Sequence, residues 1–198
     1  MKFLIDGSGN RIAKRREQAN ELVTGQLLTP LTGYRLAEKM FGIDNGAFSG
    51  MTEQKLAKFS RILSRYYDAR ENCHFVAIPD KVADHSKTLE MWKRHEHLAD
   101  GYTKAFVAQN GFDGMPEGVG ALFIGGDNDF KDSSECQEIV KDHIANGFHV
   151  HIGRVNCFER FIKYHEIGAH TCDGSGVSMY DHMIENLQAK LLVHGVRV

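Results

Sequence analysis

Three aspartates stand just past apolar runs of the chain. Asp44 follows Phe41-Gly42-Ile43, Asp80 follows Ile78-Pro79, and Asp173 follows Ala169-His170-Thr171-Cys172. Paired carboxylates can divide the work at a glycosidic carbon: one attacks the anomeric centre while the other moves protons. A further carboxylate can accept the paired N–H groups of a guanine-like edge. Gln109 and a backbone N–H at Gly125 or Gly126 can donate to the carbonyl of the same heterocycle. Phe48 can stack on its ring. Asp and Gly are also ordinary turn residues, so any one of these aspartates read alone is a turn former. Six strand ends that carry matching groups are what point to a site.

Those ends come from the hydrophobic pattern, in which short apolar runs alternate with longer amphipathic ones. Strands are expected at Phe3–Ile5, Gln26–Thr29, Phe41–Asp44, His74–Ile78, Ala105–Gln109, Ala121–Ile124, Phe148–Ile152 and Ala169–Cys172. Helices are expected at Thr52–Ala69, Asp84–Leu98, Ser133–Ala145, Asn156–Ile167 and Ser178–Val193. Asn156 reads as the N-cap of its helix, with Glu159 three residues later, and Gly168 as its stop. Strict strand–helix alternation predicts a parallel sheet. Eight strands predict an α/β fold of the (β/α)8 TIM-barrel-like kind, as one compact domain over residues 1–198. A flavodoxin-like open sheet is the alternative, and it normally uses fewer strands. In a barrel, the residues just after each strand gather at one mouth. That rule brings together Asp44-Asn45-Gly46-Ala47-Phe48, Pro79-Asp80, Gln109-Asn110-Gly111, Gly125-Gly126-Asp127, Ile152-Gly153-Arg154 and Asp173-Gly174.

Composition narrows the class. With 42% hydrophobic and 10% aromatic residues the chain is globular and not disordered. No apolar run approaches the roughly 20 residues that span a bilayer, and Met1–Ile5 reaches Asp6 too soon for a signal peptide. A cytoplasmic location follows as the expectation. The four cysteines, Cys73, Cys136, Cys157 and Cys172, form no CxxC pair, so a structural zinc site is not expected and reduced thiols are. A net charge of −2 exerts no global pull on nucleic acid. The local basic groups Lys14-Arg15-Arg16, Arg61/Arg65/Arg70 and Lys93-Arg94 read as solvated helix faces.

Taken in order, these motifs resemble the tRNA-guanine transglycosylase superfamily. The likeness is to its small phage and bacterial branch, which places 7-deazaguanines in DNA, and it runs from about Asp44 to Gly174. Asp44-Asn45-Gly46-Ala47-Phe48 resembles the motif whose aspartate is the general acid/base and whose aromatic stacks on the base. Asp80 matches the acid that reads the purine N1 and N2 edge, and Gln109 the glutamine on O6. Gly125-Gly126 matches the pair whose amide also faces O6. His151-Ile152-Gly153 resembles the segment that walls the base, which gives Ile152 and Gly153 that role. Asp173 matches the nucleophile. The resemblance implies replacement of guanine in DNA by a free 7-deazaguanine such as preQ0, through a covalent glycosyl-aspartate and with no metal or other cofactor. For a phage-encoded enzyme the compartment would be the host cytoplasm. The chain departs from the tRNA enzymes in three ways. It lacks the Cys-x-Cys-x-x-Cys…His zinc subdomain, it is about half their length, and it carries Asp127 where they carry an apolar residue. The first two favour DNA, and an RNA substrate is the alternative.

Two rivals belong to other classes. His149-Val150-His151 puts two imidazoles on one strand face, as in metal-dependent TIM-barrel hydrolases, with Asp173 available as a third ligand. The plainer reading makes both histidines buried strand residues with backbone partners, and is preferred. A non-catalytic DNA-binding subunit is the second rival, and the presence of both Asp44 and Asp173 argues against it.

Overall fold

A computed structural model describes residues 1–196; the last two positions of the expected 1–198 domain lie outside the described residues. Eight parallel strands close into a barrel in sequence order. They are β1 (Lys2–Ile5), β2 (Val23–Leu28), β3 (Phe41–Ile43), β4 (Cys73–Ala77), β5 (Lys104–Ala108), β6 (Ala121–Ile124), β7 (His149–Ile152) and β8 (Thr171–Cys172). Closure is made by β8 against β1, with Lys2 opposite Thr171 and Phe3 opposite Cys172.

The helices are α1 (Gly9–Ala19), α2 (Glu53–Arg65), α3 (His85–His95), α4 (Asn128–Asp132), α5 (Ser134–Ala145), α6 (Phe158–Glu166), α7 (Ser175–Met179) and α8 (Asp181–Val193). Residues 29–40 and 109–120 return from the top of the barrel to its base without a helix. These two bare crossovers let eight strands close within so short a chain. Caps set several helix starts: Thr52 accepts from the Lys55 N–H, Asp84 from Lys87 and Ser133 from Cys136. Asn156 does not cap α6. Cys157 takes that position, and the Asn156 Oδ1 accepts instead from the Gly176 N–H at 2.8 Å, tying the turn after β7 to the turn after β8.

Side-chain parity divides the core. Leu4, Leu27, Phe75, Ala77, Ala105, Val107, Ala121 and Phe123 fill the barrel interior. Phe3, Ile5, Ile124, Val150, Ile152 and Cys172 point outward to α5, α6 and α8. Phe41, Ile43, Val76 and Phe106 do so to α2 and α3. The lumen is filled by pairing large with small: a Cβ on Gly42 would lie 2.8 Å from the Phe75 ring. One basic group is structural rather than solvated. Arg15 is 1% exposed and donates to Asp181, to the Val177 carbonyl and to the Ser178 carbonyl, pinning α1 to the chain after β8. No helix among the described residues is long and apolar enough to cross a membrane. All four cysteines are free, and Cys73, Cys136 and Cys172 are buried.

Phe75 is the plug beneath the mouth, 5.7 Å from the Phe123 ring and 4.6 Å from the His151 ring. Phe75→Ala is expected to cost about 3–5 kcal/mol in urea denaturation, with Phe75→Leu costing much less.

Candidate active site

The inward columns of the barrel run on past the strand ends and become the site. The mouth forms a half-open slot lined by Asp44, Asp80, Gln109, Phe123, Lys131 and Asp173, among others, with a cavity volume of about 70 Å³. Phe48, Gly125, Gly126 and Gly153 also line it. A second cleft, between α6 and α8, is lined among the described residues by one acid and one lysine, Glu159 and Lys190, which pair with each other at 3.5 Å. The carboxylates and the amide group are in the slot, so the chemistry belongs there.

Asp44 stands at the end of β3, where its backbone N–H still bonds the Leu28 carbonyl at 2.8 Å. Its Oδ1 accepts one N–H, from Gly46 at 3.1 Å. Burial pushes this carboxyl up to about 7, and the nearby charge of Asp173 adds to the rise; the Gly46 N–H opposes it. Asp44 is therefore poised between its protonated and ionised forms near neutral pH, the condition for moving a proton either way. Asp80 is 7% exposed and burial raises it to about 6, against the pull of two amide donors. Those donors are Asn45 Nδ2 on Oδ1 at 2.8 Å and Gln109 Nε2 on Oδ2 at 2.6 Å. Asn45 also donates to the Ile78 carbonyl, and Gln109 Oε1 accepts the Ala83 N–H at 2.8 Å. Gly125 makes room for this: a Cβ there would lie 2.6 Å from Gln109 Nε2.

Asp173 follows β8 and is held from one side. His151 Nε2 lies 3.1 Å from its Oδ1, and the Arg154 N–H donates to the same oxygen at 3.2 Å. Among the described residues its Oδ2 has no protein hydrogen bond, which leaves that oxygen open to the slot. A relay lies beneath it. His151 Nδ1 meets the Thr171 hydroxyl at 2.9 Å, and that hydroxyl also meets His149 Nε2 at 2.9 Å. The two histidines thus share a side-chain hydroxyl, where backbone partners were expected, and His151 positions Asp173. Burial drives His149 down to about 3, so it is neutral. Among the described residues no three His, Cys, Asp or Glu side chains are grouped to hold a metal ion.

Two expected contacts fall elsewhere. Ile152 is fully buried among Ile124, Val150 and Phe161 on the helix-facing side of β7. Its parity is opposite to that of His151, so it cannot wall the slot, and Gly153 with Phe123 takes that place. The Gly125 N–H is spent on the Ala108 carbonyl at 2.9 Å, and among the described residues the Gly126 N–H has no partner, which makes it the amide available to a ligand. Phe48 is 61% exposed, and the Arg154 guanidinium lies over its ring at 4.0 Å. That cation–π pair roofs the slot, and a bound base must either displace the guanidinium or use the free face of Phe48.

Several site residues carry no sequence motif of their own. Asp6, after β1, accepts from Thr32 and is raised by burial and by the charge of Asp173. It adds a further carboxylate beside the mouth. Asn45 lies inside the Asp44–Phe48 motif but owes its role to its hydrogen bonds, and Lys131 shows itself only through its contacts. Arg154 and Ala83 are the two non-glycine residues with positive φ among the described residues, +60° and +59°. Both N–H groups bond site side chains, Asp173 and Gln109, so backbone strain is concentrated where it orients the slot.

No protein-family model matches this sequence, and no curated protein matches it. Among solved structures, a c-di-GMP complex of the PaMucR phosphodiesterase shares 11% identity at a TM-score of 0.41 over 68% of this chain and 59% of that one. The EAL enzyme Bd1971 in its cGMP-bound form shares 12% at 0.39, over 75% and 43%. A native KDPGal structure shares 13% at 0.41, over 100% and 95%. The chain spans less than two thirds of the first two of these. The overall similarities are low, and the site stands on its own geometry.

Because the folded state raises the Asp44 carboxyl, it binds a proton there that the unfolded chain releases above about pH 4. Wild-type stability should therefore fall as pH rises from about 4 to about 7 through this group. Asp44→Asn keeps the acceptor for Gly46 and removes the charge. Thermal melts should show the variant more stable than wild type at pH 8, by at most about 4 kcal/mol, with the difference vanishing toward pH 4.

Proposed function

We propose that this chain is a pentosyltransferase that exchanges guanine in DNA for a free 7-deazaguanine of the preQ0 type. The observation that carries the reading is that Asp44 and Asp173 line one slot, with an open oxygen on Asp173 and a carboxyl near neutrality on Asp44. Double displacement at an anomeric carbon needs that division: a nucleophile on one side and a proton carrier on the other. Asp80 and Gln109 support a purine as the ring. Each Asp80 oxygen accepts one amide and retains capacity for a purine N–H, while the second Gln109 Nε2 hydrogen and the Gly126 N–H suit O6. The bare glycines of the slot and the Phe48–Arg154 roof suit a flat ligand.

In this mechanism Asp173 Oδ2 attacks C1′ of an extruded deoxyguanosine nucleotide. The C1′–N9 bond breaks, and its electron pair leaves with guanine, which takes a proton from the Asp44 carboxyl. A glycosyl ester of Asp173 remains. The incoming 7-deazaguanine loses its N9 proton to the Asp44 carboxylate, N9 bonds C1′, and Asp173 departs as carboxylate. Two inversions give retention, and the two protons balance on Asp44. His151 and the Arg154 N–H hold Oδ1 still so that Oδ2 meets the sugar. The resemblance is to the branch that acts on DNA, and RNA is the alternative substrate.

The reading is tested by incubating the protein with guanine-containing DNA and candidate 7-deazaguanines, then digesting to nucleosides for mass spectrometry. The modified nucleoside should appear with wild type and be absent with Asp173→Asn, and Asp44→Asn should slow its formation by roughly 10²–10⁴. The rate of guanine release should fall as pH rises above about 7, because that step needs the Asp44 proton. Full exchange by Asp173→Asn would overturn the assignment.

A further inference from the structure

Lys131 has no place in the exchange chemistry described above, yet it is one of the most costly side chains in the molecule. It is 1% exposed, lines the slot, and among the described residues has no carboxylate in hydrogen-bonding contact. Its ammonium donates to the Gly153 carbonyl at 3.2 Å, and its other two N–H groups have no protein partner among the described residues. Burial pulls it down to about 8, with the charges of Arg154 and Arg160 pulling the same way and Asp173 opposing. A buried ammonium with unspent donors is unfavourable unless something in the slot uses them.

The surroundings hold it there. Asp127 caps α4 through the Phe130 N–H at 2.8 Å and also accepts from Asn110 at 2.8 Å. Arg160 of α6 grips Asp132 with two nitrogens, at 3.1 and 2.7 Å. The Tyr164 hydroxyl donates to the Lys131 carbonyl at 2.6 Å. Four groups on three segments thus fix the single turn that carries the amine. Asp127, which sets this chain apart from the tRNA enzymes it resembles, is the residue that starts that turn.

The order of groups around the mouth assigns the amine a target. Asp80 stands after β4, Gln109 after β5 and Gly126 after β6. Lys131 reaches from the turn after β6 to Gly153 after β7, and Asp173 follows β8. A purine with its N1/N2 edge on Asp80 and N9 toward Asp173 runs its atoms past these groups in the order N1, O6, position 7, N9. Resting on the base-exchange reading, we infer that Lys131 faces position 7 of the bound base and selects bases that present a hydrogen-bond acceptor there. Guanine offers the N7 lone pair, and a 7-cyano or 7-carboxamide group offers nitrogen or oxygen. A 7-aminomethyl group brings a second ammonium beside a buried one, and like charges in a dry site repel strongly.

Titration calorimetry with the free bases tests this. Wild type should bind 7-cyano-7-deazaguanine at least about tenfold tighter than 7-aminomethyl-7-deazaguanine, the equivalent of about 1.4 kcal/mol. Lys131→Met and Lys131→Gln should bring the ratio to within about threefold, and Lys131→Arg should preserve it. Melting temperatures are measured for each variant, and Met, which fits an apolar burial, keeps the test available if Gln unfolds. A folded Lys131→Met protein with the wild-type ratio overturns the assignment of Lys131 alone. Failure of wild type to bind any 7-deazaguanine overturns the base-exchange reading and this assignment with it.

Discussion

Two carboxylates share one mouth, and the charge of Asp173 adds to burial in making an ionised Asp44 costly. Among the described residues, Asp173 has two donors on one oxygen, the His151 imidazole and the Arg154 amide, whereas the Asp44 carboxyl has only the Gly46 amide. Asp44 is accordingly the carboxyl that burial and the neighbouring charge push up to about 7. Burial first, and a single hydrogen bond to offset it, mark Asp44 as the proton carrier, beside an Asp173 held in place through one oxygen. The remaining site residues can be understood as supports for that asymmetry. The Thr171 hydroxyl orients His151, the strained backbone at Arg154 presents its N–H, and the Asn45–Asp80–Gln109 network fixes the opposite wall.

The barrel supplies the precision this needs at low expense in residues. Inward parity carries each column of side chains from a packed lumen directly into the mouth: Val107 to Gln109, Phe123 to Gly125, His151 to Gly153, Thr171 to Asp173. Phe75 and Phe123 fill the space beneath. Two crossovers dispense with helices, while the arc from β6 to β8 that holds Lys131 and Asp173 keeps α4 to α8 packed behind it.

Much of this was legible in the sequence. Alternating short and long apolar periods specified eight parallel strands, and the strand-end rule brought Asp44, Asp80, Gln109, Gly125, Gly126, Gly153 and Asp173 to one place. The wall role that the resemblance gave Ile152 fails on parity: adjacent residues of a strand face opposite sides, and His151 takes the inward one. Asn156 looked like a helix cap because a local motif cannot reveal a competing partner twenty residues away, here the Gly176 amide. α1 escaped notice because its polar face dominates and Arg15 is buried by ion pairing rather than by apolarity. Lys131 was invisible for a similar reason. A lysine reads as surface, and only the packing of α6 against α4 shows it turned inward. The expected His149 and His151 backbone partners gave way to Thr171, a side chain supplied by the neighbouring strand.

The division of labour between the two carboxylates is tested most directly by finding which one bonds the sugar. Wild-type protein would be incubated with a guanine-containing oligonucleotide in the absence of any acceptor base, denatured, digested, and the adduct located by peptide mass spectrometry. A pentosyl ester on Asp173, with Asp44 unmodified, is the predicted result. An adduct on Asp44, or guanine release that proceeds through no protein adduct at all, would contradict it.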